Sequence, residues 1–180
     1  MRKVLFVGAF FRGCVGTWVR RYEICIGRSF FNFSTAMDQL IDMLHKTGCS
    51  LVVRDRQGDV TLYDKQGVRD LVWLLDNHPE RLCGASLADK VVGKAAAALM
   101  VRGKVGHVYA DVMSELALPL LSEAEIPFSY GQLVSRIVIP AGDERCPLEQ
   151  IVTPAATAEE AEALLRAHFA EMAARNSRTQ

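Results

Sequence analysis

The sequence has no surplus of charge of either sign and no apolar run long enough to cross a membrane. Its 21 basic and 21 acidic residues give a net charge of zero, so nothing predicts binding to nucleic acid. The apolar run Val4–Phe11 is far shorter than the roughly 20 residues that a membrane-spanning helix needs. We therefore expect a cytoplasmic protein whose partners include neither nucleic acid nor a membrane.

Paired cysteine motifs are also missing. The five cysteines are odd in number and scattered, without a CxxC pair or a Cys/His cluster; they are Cys14, Cys25, Cys49, Cys83 and Cys146. This pattern excludes a disulfide framework and a structural zinc site, and it suits a reducing compartment. We expect no metal and no cofactor.

Residues 1–33 differ in composition from the remainder of the chain. They hold six of the basic residues, one acidic residue and eight of the aromatic residues. Arg12 ends the apolar run and no small-x-small cleavage site follows it, so a signal peptide is not predicted. We expect a poorly ordered basic, aromatic extension or a mis-assigned start, because Met37 opens the first amphipathic stretch. Residues 34–176 are predicted to form one α/β domain and 177–180 a frayed tail.

Alternating patterns predict a three-layer α-β-α fold with a mixed sheet flanked by helices. A β-hairpin comes first, and strands and helices then alternate, which implies helices on both faces of the sheet. The predicted helices are 37–47, 67–78, 86–102, 114–125, 146–152 and 157–177. The predicted extended segments are 49–55, 59–65, 105–113 and 127–142.

The segment "ADKVVGKAAAAL" is the most distinctive predicted helix. Ser86 would cap it, Asp89 would lie in its first turn, and Gly103 would end it. Lys90 and Lys94 would share one face, although positive charge near a helix start opposes the helix dipole. One interpretation is an anion site that combines Lys90 with free backbone N–H groups. The other is that both lysines are solvated and Asp89 is only a cap.

The segment "ERCPLEQI" predicts a short helix with a thiol at its start. Cys146 would be the N-cap, Pro147 the first helical residue and Glu149 the third. The helix dipole and Arg145 favour the thiolate form, whereas the neighbouring acidic residues oppose it. Cys146 is therefore either a nucleophile or a partly buried structural cysteine.

Two runs carry a resemblance to a known family. "LCGASLADKVVGKAAAALMVRGKVGHVYADVMSELALPLLSEAEI" and "CPLEQIV" resemble an uncharacterised bacterial and archaeal family, domain of unknown function 1893. The resemblance covers roughly residues 37–152, more weakly to about 175, and no part of 1–33. It implies a cytidine-deaminase-like fold, and it implies no established activity.

The zinc ligands of a deaminase are absent from the places where the predicted helices start. Such enzymes use a His/Cys-x-Glu motif at one helix start and Pro-Cys-x-x-Cys at the next. Here those places are assigned to 87–90 and 113–117, and neither contains histidine or cysteine. A catalytic zinc needs three protein ligands, so we do not expect zinc-dependent deamination.

The same helix starts still predict a pocket. We expect them to converge, and the resemblance suggests that Cys146 approaches them. The candidate catalytic residues are Cys146, Asp89 and Lys90, and the candidate ligand-binding residues are Lys94, Ser114, Glu115 and Glu149. Three hypotheses remain open: thiol-dependent chemistry on a small anionic or nucleotide-like molecule, a non-catalytic binding or sensor module, and an interaction protein that forms homo-oligomers.

Deletion of residues 1–33 should leave a folded domain, because the predicted helices and strands all lie beyond them. Circular dichroism and a thermal melt of the truncated chain test this expectation. Loss of cooperative unfolding would show that the first segment is needed for the fold.

Overall fold

A five-stranded mixed sheet organises the residues that the computed structural model describes, which are 36–65, 67–138 and 145–178. The expectations for residues 1–33 and for the end of the tail fall outside this range. The strands are β1 (Leu51–Arg54), β2 (Val60–Tyr63), β3 (Ser86–Val92), β4 (His107–Ser114) and β5 (Phe128–Val134). Their order across the sheet is β2-β1-β3-β4-β5.

Seven α-helices accompany the sheet in the described part of the chain. They are α1 (36–47), α2 (Arg69–Asn77), α3 (Pro79–Leu82), α4 (Lys94–Arg102), α5 (Leu118–Glu123), α6 (Pro147–Val152) and α7 (Ala158–Arg178). A 3-10 turn over Glu115–Ala117 precedes α5. None of these helices is long and apolar enough to cross a bilayer.

The hairpin of β1 and β2 forms as the sequence predicts. The two strands pair antiparallel, and Gly58 in the connecting turn has φ 94°, a conformation that glycine adopts without a steric cost. The Asp55 carboxylate accepts hydrogen bonds from the backbone N–H groups of Gln57 and Asp59, each at 3.0 Å. This local network closes the turn and sets the register of the two strands.

Two separate apolar cores lie on the two faces of the sheet. On one face Leu40 and Leu44 of α1 pack against Val52, Ala88 and Tyr109, and we call this the α1 side. The opposite face, the main-core side, carries Leu87, Val108 and Ala110 against apolar residues of α2 and α4–α7. The predicted three-layer arrangement of a mixed sheet between helices is therefore confirmed.

The predicted helix 86–102 is wrong in its first half. Ser86–Val92 is the central strand β3, hydrogen-bonded to β1 on one side and to β4 on the other. Helix α4 begins only at Lys94, with Gly93 and not Ser86 at its N-cap, and it ends at Gly103 as predicted. A short apolar run suits a buried strand as well as a helix, and here pairing with two neighbouring strands decides the outcome. The adjacent Val91 and Val92, followed by Gly93, are the local signal for a strand that ends there.

Candidate functional site

Asp89 and Lys90 are neighbours in β3, and they point to opposite faces of the sheet. Side chains alternate along a strand, and Leu87 lies in the main core while Ala88 lies on the α1 side. Asp89 continues the row of Leu87, and Lys90 continues the row of Ala88. The two candidate catalytic residues are thus separated by the sheet itself.

Asp89 is a carboxyl group set among apolar neighbours on the main-core side. Its register partners are Leu51 of β1 and Ala110 of β4, both buried. Part of the side chain reaches solvent, but protein surrounds the carboxyl group, and this burial raises its pKa to about 7. The backbone N–H of Val91 donates to its Oδ1 at 3.0 Å and partly offsets the rise, whereas the charge of Asp111 adds to it. Asp89 therefore titrates near neutral pH.

Lys90 holds the end of α1 against the sheet. Its Nζ donates a hydrogen bond to the backbone carbonyl of Gly48, directly after α1. Along the parallel pairing of β3 with β4, Lys90 and Asp111 lie between the pairs Asp89–Ala110 and Val91–Val112. Lys90 thus belongs to a polar group on the α1 side.

That polar group contains residues which the sequence did not single out. Asp111 Oδ1 accepts a hydrogen bond from the Tyr109 hydroxyl at 2.9 Å and lies 2.7 Å from His45 Nε2. His45 belongs to the last turn of α1, so its pairing with β4 depends on how α1 crosses the sheet. The 66-residue separation of His45 and Asp111 explains why no local pattern reveals the contact.

The start of α4 is capped by Glu149 from α6. Glu149 is buried, its Oε1 accepts from the backbone N–H of Lys94 at 3.3 Å, and its Oε2 accepts from that of Ile137 at 2.8 Å. A carboxylate is stabilised at a helix N-terminus by these N–H groups and by the helix dipole. The N–H of Lys94 at the start of α4 is therefore bound by a side chain of the protein itself. The anion site predicted with Lys90 belonged to a helix start near Ser86, where the structure has β3.

Lys94 is directed away from the same helix start. Its Nζ donates to the backbone carbonyls of Thr153 and Ala155, at 2.8 and 2.6 Å. These carbonyls follow the C-terminal end of α6, where positive charge is favourable. Lys94 and Glu149 together tie α4 to both ends of α6.

Cys146 occupies the predicted helix-start position. It is the N-cap of α6, with Pro147 first and Glu149 third in the helix, and its backbone N–H donates to Ile137 O at 2.9 Å. The thiol is half-buried, and it makes no capping hydrogen bond. Within the described ranges, no hydrogen bond or ion pair joins Cys146 to Asp89 or Lys90.

Three helix starts meet where α6 begins. A Cβ placed on Gly67, just before α2, would lie 3.3 Å from Leu148, and one placed on Gly93 would lie 3.1 Å from Glu149 Oε1. The first turn of α6 therefore spans the starts of α2 and α4. We call this region the helix-start junction, defined by Gly67, Gly93, Cys146, Leu148 and Glu149.

Ser114 and Glu115 lie at the end of β4. Ser114 is fully buried, and its Oγ accepts from the backbone N–H of Leu116 at 3.2 Å, which caps the 3-10 turn. Glu115 is exposed to solvent. No hydrogen bond or ion pair in the described ranges connects either residue to Asp89 or Lys90.

The observed boundaries of the helices and strands change which residues correspond to the zinc-ligand positions of deaminases. The helix after the hairpin is α2, and the helix after the next strand is α4, so the relevant places are residues 67–70 and 92–95 rather than 87–90 and 113–117. These places also contain neither histidine nor cysteine. Across the described residues, no three His, Cys, Asp or Glu side chains are grouped so as to hold a metal ion.

The fold and the helix-start junction define an α/β protein in which, among the described residues, one helix covers one face of a mixed sheet and a helical layer covers the other. The family model for TM1506, a domain of unknown function (DUF1893), matches residues 39–169. The chain therefore belongs to the DUF1893 family, as the resemblance predicted.

A solved structure supports the same relationship. The 2.70 Å crystal structure of the DUF1893 family protein TM1506 from Thermotoga maritima is similar, with a TM-score of 0.68 and 27% sequence identity. The match covers 75% of this chain and 90% of that one. No curated protein matches the chain significantly.

Glu149→Gln should lower the free energy of unfolding by about 2 kcal/mol, because the amide NH2 would face one of the two backbone N–H donors. Urea denaturation measures the change. Glu115→Gln is the matched control and should stay within about 0.5 kcal/mol of the wild type, because Glu115 is exposed. Equal effects of the two substitutions would contradict the capping role.

Asp89→Asn should stabilise the protein at pH 8 but have little effect at pH 4. The folded-state pKa of about 7 lies above the ordinary value of 3.8, so the native wild type holds a proton that the unfolded chain has lost between these values. Its free energy of unfolding therefore falls as the pH rises through that window, and the asparagine variant avoids this loss. Urea titrations at several pH values would contradict the argument if the two curves stayed parallel.

Proposed function

We propose that this protein binds a small molecule at the helix-start junction, with Asp89 as the group that recognises it. The observation that carries the proposal is the position of Asp89: a carboxyl group with a pKa of about 7, on the face of β3 that the helical layer covers. Titratable groups with strongly shifted pKa values are concentrated at functional sites. Structural roles account for Glu149, Lys94 and Lys90, whereas no ion pair with another described residue accounts for Asp89.

The charges around the junction favour a ligand that donates hydrogen bonds. Lys90 contacts Gly48 on the other face, and Lys94 contacts the residues after α6. Neither lysine is therefore in place to receive an anion. A carboxyl group that titrates near pH 7 can accept a hydrogen bond when ionised and donate one when protonated. Amides, amidines and nucleobase-like heterocycles present such complementary groups.

The deaminase-like fold that the resemblance implies would place a pocket in the same region. Zinc deaminases build their site at the starts of two successive helices, and α2 and α4 correspond to these. The contacts of α6 with Gly67 and Gly93 bring both starts together around the first turn of α6. We therefore propose that the pocket is retained for binding without the zinc ligands.

Thiol-dependent chemistry at Cys146 is the second candidate. The position of Cys146 in the helix-start junction favours this second function. Cys146 is the first residue of the turn that Glu149 holds in place. Its proposed activating partner, Lys90, lies on the α1 side of the sheet. Binding is therefore the first function that we propose, and a reactive thiol would extend it.

A thermal-shift screen of the full chain should find ligands among nucleobases, nucleosides and small amidines. Asp89→Asn should weaken the apparent affinity for such a ligand at least tenfold, since the ligand would lose a matched hydrogen-bond partner. The ligand-induced rise in melting temperature should be smaller accordingly. Cys146→Ser should bind as the wild type does, and Glu115→Gln is the control for an exposed acid.

Two results would decide against the proposal. Stabilisation only by phosphates or carboxylates would contradict the ligand class, and unchanged binding by Asp89→Asn would contradict the role of Asp89. Rapid alkylation of Cys146 by iodoacetamide, slowed by the bound ligand, would favour the thiol enzyme.

A further inference from the structure

We propose that two copies of this chain pair through β2, antiparallel about Leu62, so that their sheets join across a two-fold axis. β2 is the last strand on its side of the sheet, and within the described ranges no strand pairs with its outer edge. Such an edge presents unpaired backbone N–H and C=O groups to another chain. This inference stands independently of the helix-start junction.

The direction of the backbone groups in β2 limits how a second strand can pair. The N–H of Asp55 donates to Asp59 O, and Tyr63 O accepts from the N–H of Ser50. Residues 59 and 63 therefore face β1. In an antiparallel strand the backbone groups of alternate residues point to opposite sides, so Val60 and Leu62 direct theirs outward. Lys65 O accepts from Ser50 Oγ, which leaves Asp64 facing outward as well.

A two-fold axis at Leu62 gives every one of these outward backbone N–H and C=O groups a hydrogen-bond partner. It pairs Leu62 with Leu62 of the second copy, and Val60 with Asp64 of the second copy. The same register places Asp59 opposite Lys65 of the second copy, and this occurs twice because of the symmetry. Opposite charges that face each other across neighbouring strands are stabilising. The segment "DVTLYDK" is thus self-complementary in both charge and hydrogen bonding.

A competing register is less complementary. An axis at Thr61 would also pair outward backbone groups, Val60 with Leu62 of the second copy. It would, however, set Asp59 opposite Tyr63 and Lys65 opposite Gln57, so both charge pairs would be lost. We therefore place the axis at Leu62.

Exposed apolar side chains flank the same edge. Val60 and Leu62 are 37% and 41% exposed, and Trp73 of α2 is 40% exposed. Trp73 lies beside the end of β2, since Lys65 Nζ is 5.7 Å from the centre of its ring. Isolated exposed apolar residues need no explanation, but Val60 and Leu62 lie two residues apart along an unpaired edge, and exposed apolar residues grouped in this way are typical of an interface. Pairing would cover Leu62 directly at the axis.

Sedimentation of the full chain tests the pairing. The wild type should sediment as a dimer of the 19.9 kDa chain. Leu62→Lys should give a monomer, because two ammonium groups would meet at the axis, whereas Met172→Lys, at an exposed apolar residue of α7, should remain a dimer. A wild-type monomer at high micromolar concentration would overturn the proposal, as would a dimer that Leu62→Lys leaves unchanged.

A charge-reversal experiment distinguishes loss of the dimer interface from loss of folding. Asp59→Lys and Lys65→Glu should each weaken dimerisation by about tenfold or more, because like charges would then face each other. The double variant Asp59→Lys with Lys65→Glu should recover the dimer, since the opposite charges are restored in reverse. Failure of the double variant to recover, while still folded by circular dichroism, would overturn the charge pairing.

Engineered cysteines test the register. Leu62→Cys should form an intermolecular disulfide on mild oxidation, because directly opposed, hydrogen-bonded residues lie about 5.5 Å apart between Cα atoms. Val60→Cys should form none above the wild-type background. The double variant Val60→Cys with Asp64→Cys should form two intermolecular disulfides per dimer, one at each symmetry-related pair. Cross-linking by Thr61→Cys but not by Leu62→Cys would overturn the axis at Leu62.

Discussion

The central strand β3 is the constraint on which the site and both cores depend. It is hydrogen-bonded to β1 and β4 at once, so its residues have no freedom to turn about the strand axis. Alternation then sends Leu87 and Asp89 toward the helical layer and Ala88 and Lys90 toward α1. The row of Leu87 lies in the main core and includes Asp89, whose burial raises the pKa of its carboxyl group to about 7. The row of Ala88 contacts α1 and includes Lys90, which holds the chain just after that helix. After these residues the alternation changes, because Val91 is exposed and Val92 is buried in the main core.

Glu149 shows how the protein uses a helix start that another protein would offer to a ligand. The backbone N–H of Lys94 at the start of α4 and the backbone N–H of Ile137 both point to one small region. Filling that region with a buried carboxylate joins α6, α4 and the chain after β5 through two hydrogen bonds. Because this position is already filled, an anionic ligand has less to gain there. The same clamp fixes the turn that begins with Cys146.

Local patterns predicted those features that depend on a few consecutive residues. The stop at Gly103, the hairpin turn and the Cys-Pro-Leu-Glu helix start each rest on backbone geometry or on a helix cap, and each is found where expected. The prediction for 86–92 was wrong because its apolar residues suit either period, and the choice depends on strand partners 32 to 38 residues before them and 21 residues after them. The contact of His45 with Asp111 could not be predicted for the same reason.

By itself, the sequence determined the α/β class, the family and the residue types available for chemistry, because these follow from composition, periodicity and motif. At the helix starts that it predicted, the sequence offered neither histidine nor cysteine as a zinc ligand. Only the tertiary structure decided which of those residues share a face. Asp89 and Lys90 are adjacent in the chain, and in a helix their side chains would be only about 100° apart around the axis. A strand paired on both edges separates them, because the hydrogen bonds to two neighbours leave each side chain only one direction.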